Sequence, residues 1–520
     1  MSDVAVAPTV RDNLGSRAVR GVLWVAGSRG AGQAIQFLSG IALSRLLTPR
    51  DFGLIASAYV FAGFANLLTD LGLGTAIVQR REVTEQHLSS AFWLNAVTGV
   101  ALTLLVGALS PFIADVMHAP ELRGLTWLIA LNFTLSMTVV PFALLERAMR
   151  FRVISIIEIS ASALGWTSAI VGAATGLGYY SLALATLVQT AATSTGAIVA
   201  ARWVPKARPT VGAARELWRF GGWLTAHNMV EYWSSNTGTL LISATQSKAT
   251  VGFYNRAYNL MLLPVNQVTI VLTRVMVPAM SALQDDDERT RSAYSRALGL
   301  TALCTFPLLV GIAATAPALV ESLWGNQWTS VAPYLQVLSI AGIPWCLTGS
   351  AGWILVARGR TRRLFVVGVL DTAATIIGFA IGIHWGAMGV AVSLLVKAWL
   401  IAPVILGIGL HLVHGRLRDL VPVVVRPAVA AGLMGAAVWV EGQALHALPP
   451  LLVCAAQLVT GAVAYLLLAR TVAHPQAEVM RAVIADQRRF RTVDTQLPRP
   501  PQAASGAAST SSELPVRTAG

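Results

Sequence analysis

Nine polar side chains stand where a bilayer would not tolerate them unaccompanied. Arg29, Asp70, Glu231, Asp371 and Lys397 fall well inside apolar stretches of the chain, and Arg256, Asn259, Gln267 and Arg274 share one more such stretch. A charge at the bilayer centre costs roughly 3 kcal/mol on insertion scales, so the five isolated ones together rival the whole net stability of a typical domain. They are expected to face a hydrated cavity or one another. The other four are patterned. Arg256 and Arg274 are 18 residues apart, five turns of an α-helix. Asn259 and Gln267 fall near the same face, so a polar stripe with a cation near each end runs roughly 27 Å along one helix. With Arg29 and Lys397 as further cations, such a ladder suits an anionic polar solute. The competing reading is that Arg256 and Arg274 snorkel to headgroups on opposite sides. Asp70, Glu231 and Asp371 are candidates for coupling to a proton or sodium ion, because a partly dry cavity raises a carboxyl pKa. Static pairing with Arg29 or Lys397 is the alternative role.

Other chemistries lack their residues. None of the three lysines follows a glycine, as a phosphate-binding Walker loop requires. The eight histidines show no metal-ligand spacing, no cofactor is implied, and no outer loop is large enough to carry an acid, base or nucleophile constellation. The acidic run Asp285 to Glu288 reads as a solvated surface. The chain is therefore not expected to be an enzyme.

The elements that must position these residues are membrane helices. Of 520 residues 55% are apolar and only 12% charged, with a mean hydropathy of +0.64, whereas a soluble domain carries roughly a quarter charged residues. A span needs about 20 mostly apolar residues, and about fourteen such stretches follow one another between 19 and 470, giving an all-α integral membrane protein. Cys304, Cys346 and Cys454 lie inside these stretches and read as small hydrophobes. The first 18 residues lack the core of a cleaved signal peptide.

Arginine falls mostly in alternate loops: Arg80 and Arg81, Arg147 to Arg152, Arg202 to Arg219, Arg289 to Arg296, Arg358 to Arg363, and Arg416 to Arg426. Such loops stay cytoplasmic during insertion, so both termini are expected there. The net charge of +14 thus reflects topology, and nucleic acid is not expected as a partner. Trp324, Trp328 and Trp385 fall at outer span ends, where interfacial anchoring is the ordinary role. The stretch 471–520 mixes Pro, Ser, Ala and Arg and is expected to be a disordered cytoplasmic tail that touches anionic lipid.

A shift of 199 residues pairs Arg20 with Arg219 and Trp24 with Trp223. The same shift pairs Ser44 with Ser243, Gly53 with Gly252 and Tyr59 with Tyr258. The offset spans six helices, so the halves share one orientation about an axis along the membrane normal. Coincidence among Ala- and Gly-rich helices is the rival explanation. The division expected is a segment 1–18, an N-lobe 19–200, a linker 201–218, a C-lobe 219–410, two further spans in 411–470, and the tail.

The run Leu47-Thr48-Pro49-Arg50-Asp51-Phe52-Gly53-Leu54, then Asp70-Leu71-Gly72-Leu73, and above all Tyr254-Asn255-Arg256-Ala257-Tyr258-Asn259 followed by Pro264 resemble the polysaccharide-transporter, colanic-acid-exporter-like branch of the multidrug/oligosaccharidyl-lipid/polysaccharide exporter superfamily. The resemblance covers about residues 15 to 470. It implies two six-helix lobes in the bacterial cytoplasmic (inner) membrane that open alternately to each side. The cargo implied is a polyprenyl-diphosphate-linked oligosaccharide for exopolysaccharide, capsule or lipopolysaccharide, its diphosphate held by cations such as Arg29, Arg256 and Arg274. Proton or sodium coupling is the family expectation. Membrane lipids and other assembly proteins, a polymerase or a chain-length regulator, are the partners implied. A cation-coupled multidrug exporter of the same superfamily and a membrane glycan polymerase or ligase are the alternatives.

Overall fold

A computed structural model describes residues 14–70, 72–80, 82–283 and 286–478. The regular structure there is helical. The first half comprises α1 (Leu14–Leu46), α2 (Pro49–Asp70), α3 (Leu73–Gln79), α4 (Glu85–Val116), α5 (Leu122–Leu135), α6 (Val139–Arg147), α7 (Phe151–Ala174) and α8 (Tyr180–Ala201). The second half comprises α9 (Val211–Thr245), α10 (Lys248–Ala282), α11 (Asp287–Trp324), α12 (Val331–Thr348), α13 (Ala351–Ala357), α14 (Thr361–Gly382) and α15 (Gly386–His411). A last pair, α16 (Leu417–Ala444) and α17 (Pro450–Thr471), completes the bundle.

Ends are set by local chemistry. Thr84 and His87 form a capping box at α4, and the side chains of Ser247 and Asp286 accept the Thr250 and Arg289 amides at the starts of α10 and α11. Gly72, at φ 70°, supplies the left-handed turn that separates α3 from α2. Three short helices continue the one before, α3 after α2, α6 after α5 at a bend of 42°, and α13 after α12, so the seventeen helices form fourteen rods. By length and composition alone ten of the described helices, or eleven with the bent pair, qualify as spans. The expected fourteen is not reached on that measure. The shortfall is α1 and α9, which do not qualify, and the α14–α15 pair, which counts there as one continuous span.

Each half has its own core. Leu43, Leu54, Leu102, Leu125, Ile129 and Leu182 centre the first; Tyr254, Met261, Leu309, Leu335, Leu338 and Val390 centre the second. The pair α16 and α17 lies against α11, with the Tyr465 hydroxyl donating to the Leu303 carbonyl. The tail expected to begin at 471 is held to 478, because Ala473 is buried beside Leu303 and Gln476 reaches the Val423 carbonyl. Residues 479–520, and with them the rest of the expected tail, lie outside the described residues.

The halves repeat one another beyond what a constant offset reveals. In each, the fourth rod breaks near the arginine-rich end, leaving α6 and α13. Each short helix then turns through a residue at positive φ, Met149 (54°) or Gly359 (64°). An arginine follows in nearly the same conformation, Arg150 at φ −87°, ψ 45° and Arg360 at φ −85°, ψ 43°. The spacing of these equivalents is no longer that of Gly53 and Gly252, since α11 has 38 residues where α4 has 32.

Candidate functional site

The two halves meet most intimately at the arginine-poor end, where α2 and α10 begin. A Cβ on Gly53 would lie 1.6 Å from the Lys248 carbonyl oxygen, and one on Gly252 would lie 2.1 Å from that of Pro49. Only glycine permits such backbone contact. Beside the crossing, the Ser243 and Ser57 hydroxyls bond at 2.5 Å, while the Arg256 guanidinium donates to the Ser44 hydroxyl at 2.5 Å and to the Gly40 carbonyl at 3.0 Å. These contacts are symmetry mates. The 199-residue shift carries Ser44 onto Ser243 and Ser57 onto Arg256, so one of the two equivalent positions has become a cation.

That cation sits in an aromatic cage. The Arg256 guanidinium carbon is 4.0 Å from the Phe52 ring centroid, 5.2 Å from Trp324 and 5.5 Å from Trp328. Trp328 also donates its indole N–H to the Ser44 carbonyl at 2.8 Å, and Gln327 donates to the same carbonyl at 2.8 Å. Arg45 answers by donating to the Ser322 carbonyl at 2.7 Å. The expectation that Trp324 and Trp328 anchor the chain at the interface is therefore corrected. They are 4% and 0% exposed and close on the end of α1, whereas Trp385, at 73%, keeps the exposure an anchor needs. A tryptophan at the end of an apolar run fits either role, and only the cross-half arginine distinguishes them.

Farther along, the Tyr232 hydroxyl on α9 donates to the Val60 and Tyr59 carbonyls at 2.8 and 3.0 Å, and Gly63 leaves it room. The opposite side is sparser. There α1 and α10 are joined by the Gln267 amide donating to Gln33 at 2.7 Å, both side chains exposed. The two backbones otherwise make little approach among the described residues. Asn259 is exposed on α10 and donates to Asn255. So Asn259 and Gln267 share an open face of α10, while Arg256 turns into the junction.

Glu231, Asp371 and Lys397 are brought together in a cavity of about 320 Å³ within the second half, which Ser234, Tyr258 and Trp345 also line. Lys397 donates to Asp371 at 2.6 Å. Glu231 is exposed and carries no ion-pair partner among the described residues. The side chains of Arg29, Asp70 and Arg274 lie outside the described residues. Their backbones fall in α1, at the end of α2 and in α10. Pattern reasoning missed Ser44, Ser57, Ser243, Phe52 and Tyr232. The signal for the serines was present, since Ser44 and Ser243 are an aligned pair in the repeat.

Two packed helical halves with a polar junction between them define a multi-pass membrane protein, and the fold is one already known. The Lipid II flippase MurJ, in its inward closed conformation, matches with a TM-score of 0.65 at 13% identity over 87% of this chain and 98% of that one. A multidrug resistance MATE family transporter matches with a TM-score of 0.61 at 16% identity over 74% and 94%. The model of a family described as polysaccharide biosynthesis protein matches residues 42–333, and the chain belongs to that family. Curated relatives agree. The lipopolysaccharide biosynthesis protein WzxC of Escherichia coli is 30% identical over 68% of this chain and 73% of its own length. The teichuronic acid biosynthesis protein TuaB of Bacillus subtilis is 26% identical over 74% and 82%.

Proposed function

We propose that the chain is a flippase for lipid-linked oligosaccharide that works by alternating access. The observation that carries this reading is the asymmetry of the junction. The halves are pinned at the arginine-poor end by Arg256, Trp328, Gln327 and the glycine crossing, while α1 and α10 stand apart along most of their length. A polar headgroup can occupy such a junction as its isoprenoid chain stays in lipid through the gap between α1 and α10. Membership of the polysaccharide biosynthesis family supports this cargo over a drug.

The arginine-rich loops support an orientation with both termini in the cytoplasm of a bacterium and the protein in its inner membrane. In this arrangement the pinned end is the outer one, and Arg256 serves as its latch. Asn259 and Gln267 line the path of the diphosphate and glycan, and Arg29 and Arg274 are the further cations the sequence offers for it. Lys397 neutralises Asp371, leaving Glu231 as the carboxylate best able to exchange a proton or sodium ion with the cavity. Polysaccharide assembly proteins act on the delivered cargo at the outer face.

The test is the sidedness of the cargo. In a strain lacking this protein, lipid-linked repeat units are expected to accumulate on the cytoplasmic face and surface glycan to fall, both restored by the wild-type chain. Normal surface glycan with no accumulation would rule out flipping.

A further inference from the structure

A second concave site lies on the other face of the α14–α15 pair, and nothing in the transport reading uses it. It is an open groove of about 1180 Å³ at the arginine-rich end. Arg360, Arg362 and Arg363 stand at its mouth, and Leu370, Val404 and Ile408 are among its walls. We propose that this groove holds one anionic phospholipid of the surrounding bilayer, its phosphate on the three arginines and an acyl chain laid between α14 and α15.

The charge fits. Arg358, two residues upstream, is taken by Asp287, but none of Arg360, Arg362 and Arg363 has an ion-pair partner among the described residues. Guanidinium groups match phosphate oxygens in bidentate geometry, and basic pockets between helices at the membrane surface suit anionic headgroups. The walls fit as well. Leu370 and Val404 are 63% and 60% exposed, an exposure that hydrocarbon covers and water would penalise. From Arg362 to Leu370 a helix rises roughly 12 Å, close to the depth of one leaflet of a core about 30 Å thick. The trough exists because Gly407 brings no side chain into it and the nearest atom to an added Cβ there is Leu417 Cδ1 at 3.7 Å. Val367 is the one lining residue this groove shares with the cavity of Glu231 and Lys397. The exposed apolar walls face the bilayer, so the occupant proposed is a bilayer lipid and not the cargo.

The leaflet concerned is the cytoplasmic one, which rests on the orientation proposed above; lipid retention itself does not. The full chain, released from nanodiscs of mixed phosphatidylglycerol and phosphatidylethanolamine, is examined by native mass spectrometry. One retained phosphatidylglycerol is expected. R360Q/R362Q/R363Q should lower its retention by about tenfold or more, and V404W, which fills the trough and keeps every charge, should do the same. Retention unchanged in V404W would reduce the effect to surface charge and overturn the proposal. So would retention of phosphatidylethanolamine instead, or displacement of the lipid by an equal concentration of a polyprenyl diphosphate, which would make the groove a cargo site. Protease accessibility of the C terminus reads orientation separately: a reversed chain would still retain the lipid, from the other leaflet.

Discussion

Arg256 links the halves through two kinds of attraction at once. Hydrogen bonds from a charged donor contribute about 1.5–3 kcal/mol each, and a desolvated cation over aromatic faces about 2 kcal/mol. Its loss should therefore shift the balance of the junction by at least about 2 kcal/mol, some 30-fold in population. R256A is expected to abolish export while the protein remains in the membrane, and to speed labelling of a cysteine at Ser57 by an impermeant maleimide added from outside. R256K should fall between, since a lysine keeps the charge but loses the planar guanidinium that lies over the Phe52, Trp324 and Trp328 rings. Unchanged labelling and export in R256A would remove the latch. Asp371 and Lys397 make a different prediction. K397M strands a half-buried carboxylate, which costs at or below the lower end of about 3–5 kcal/mol, whereas D371L/K397M leaves no charge to strand and should recover most of the lost Tm. Neither role was readable from one helix alone. Periodicity put Arg256, Asn259 and Gln267 near one face of α10, but which neighbour that face meets depends on α1 and on the loop before α12.

Among elements, the crossing of α2 and α10 sets what can move. With the Lys248 carbonyl where a Cβ would fall, G53A must push the two helices apart at the pinned end, at a cost of about 1–3 kcal/mol. Weaker closure, seen as faster labelling at Ser57, is the expected result, and a variant with wild-type labelling would show that the backbones can yield. A lock is available at the same place. In a chain freed of Cys304, Cys346 and Cys454, S57C/S243C replaces hydroxyls 2.5 Å apart and should form a disulfide that stops export until reduced. Export that continues in the oxidised protein would mean that the pinned end never opens. This crossing was legible in part, because Gly53 and Gly252 stood out as an aligned pair. The later equivalence of Met149 with Gly359 was not. The longer α11 had already broken the register, and the two loops share a backbone shape and an arginine but little other sequence.

At the scale of the whole molecule, a cargo with a water-soluble head and a long apolar tail can cross only if the protein is open to lipid along its side. The gap between α1 and α10, bridged by Gln33 and Gln267, is where the tail would pass. Composition showed that the chain spans a membrane, and the repeat showed that it is double. Neither could say which sides of the two halves stay apart, since that depends on Tyr232 fastening α9 to the α2 backbone, whereas beyond the Arg256 contacts α10 reaches α1 only through the Gln267–Gln33 side-chain bridge among the described residues. Q33C/Q267C joined by a short bifunctional thiol reagent should therefore stop the transfer of lipid-linked oligosaccharide. An impermeant label added from the cytoplasmic side should still reach a cysteine at Asn259. Transfer that persists with the two helices joined would place the tail elsewhere. Loss of labelling together with transfer would show that the bridge collapses the junction as a whole and not its lipid-facing side alone.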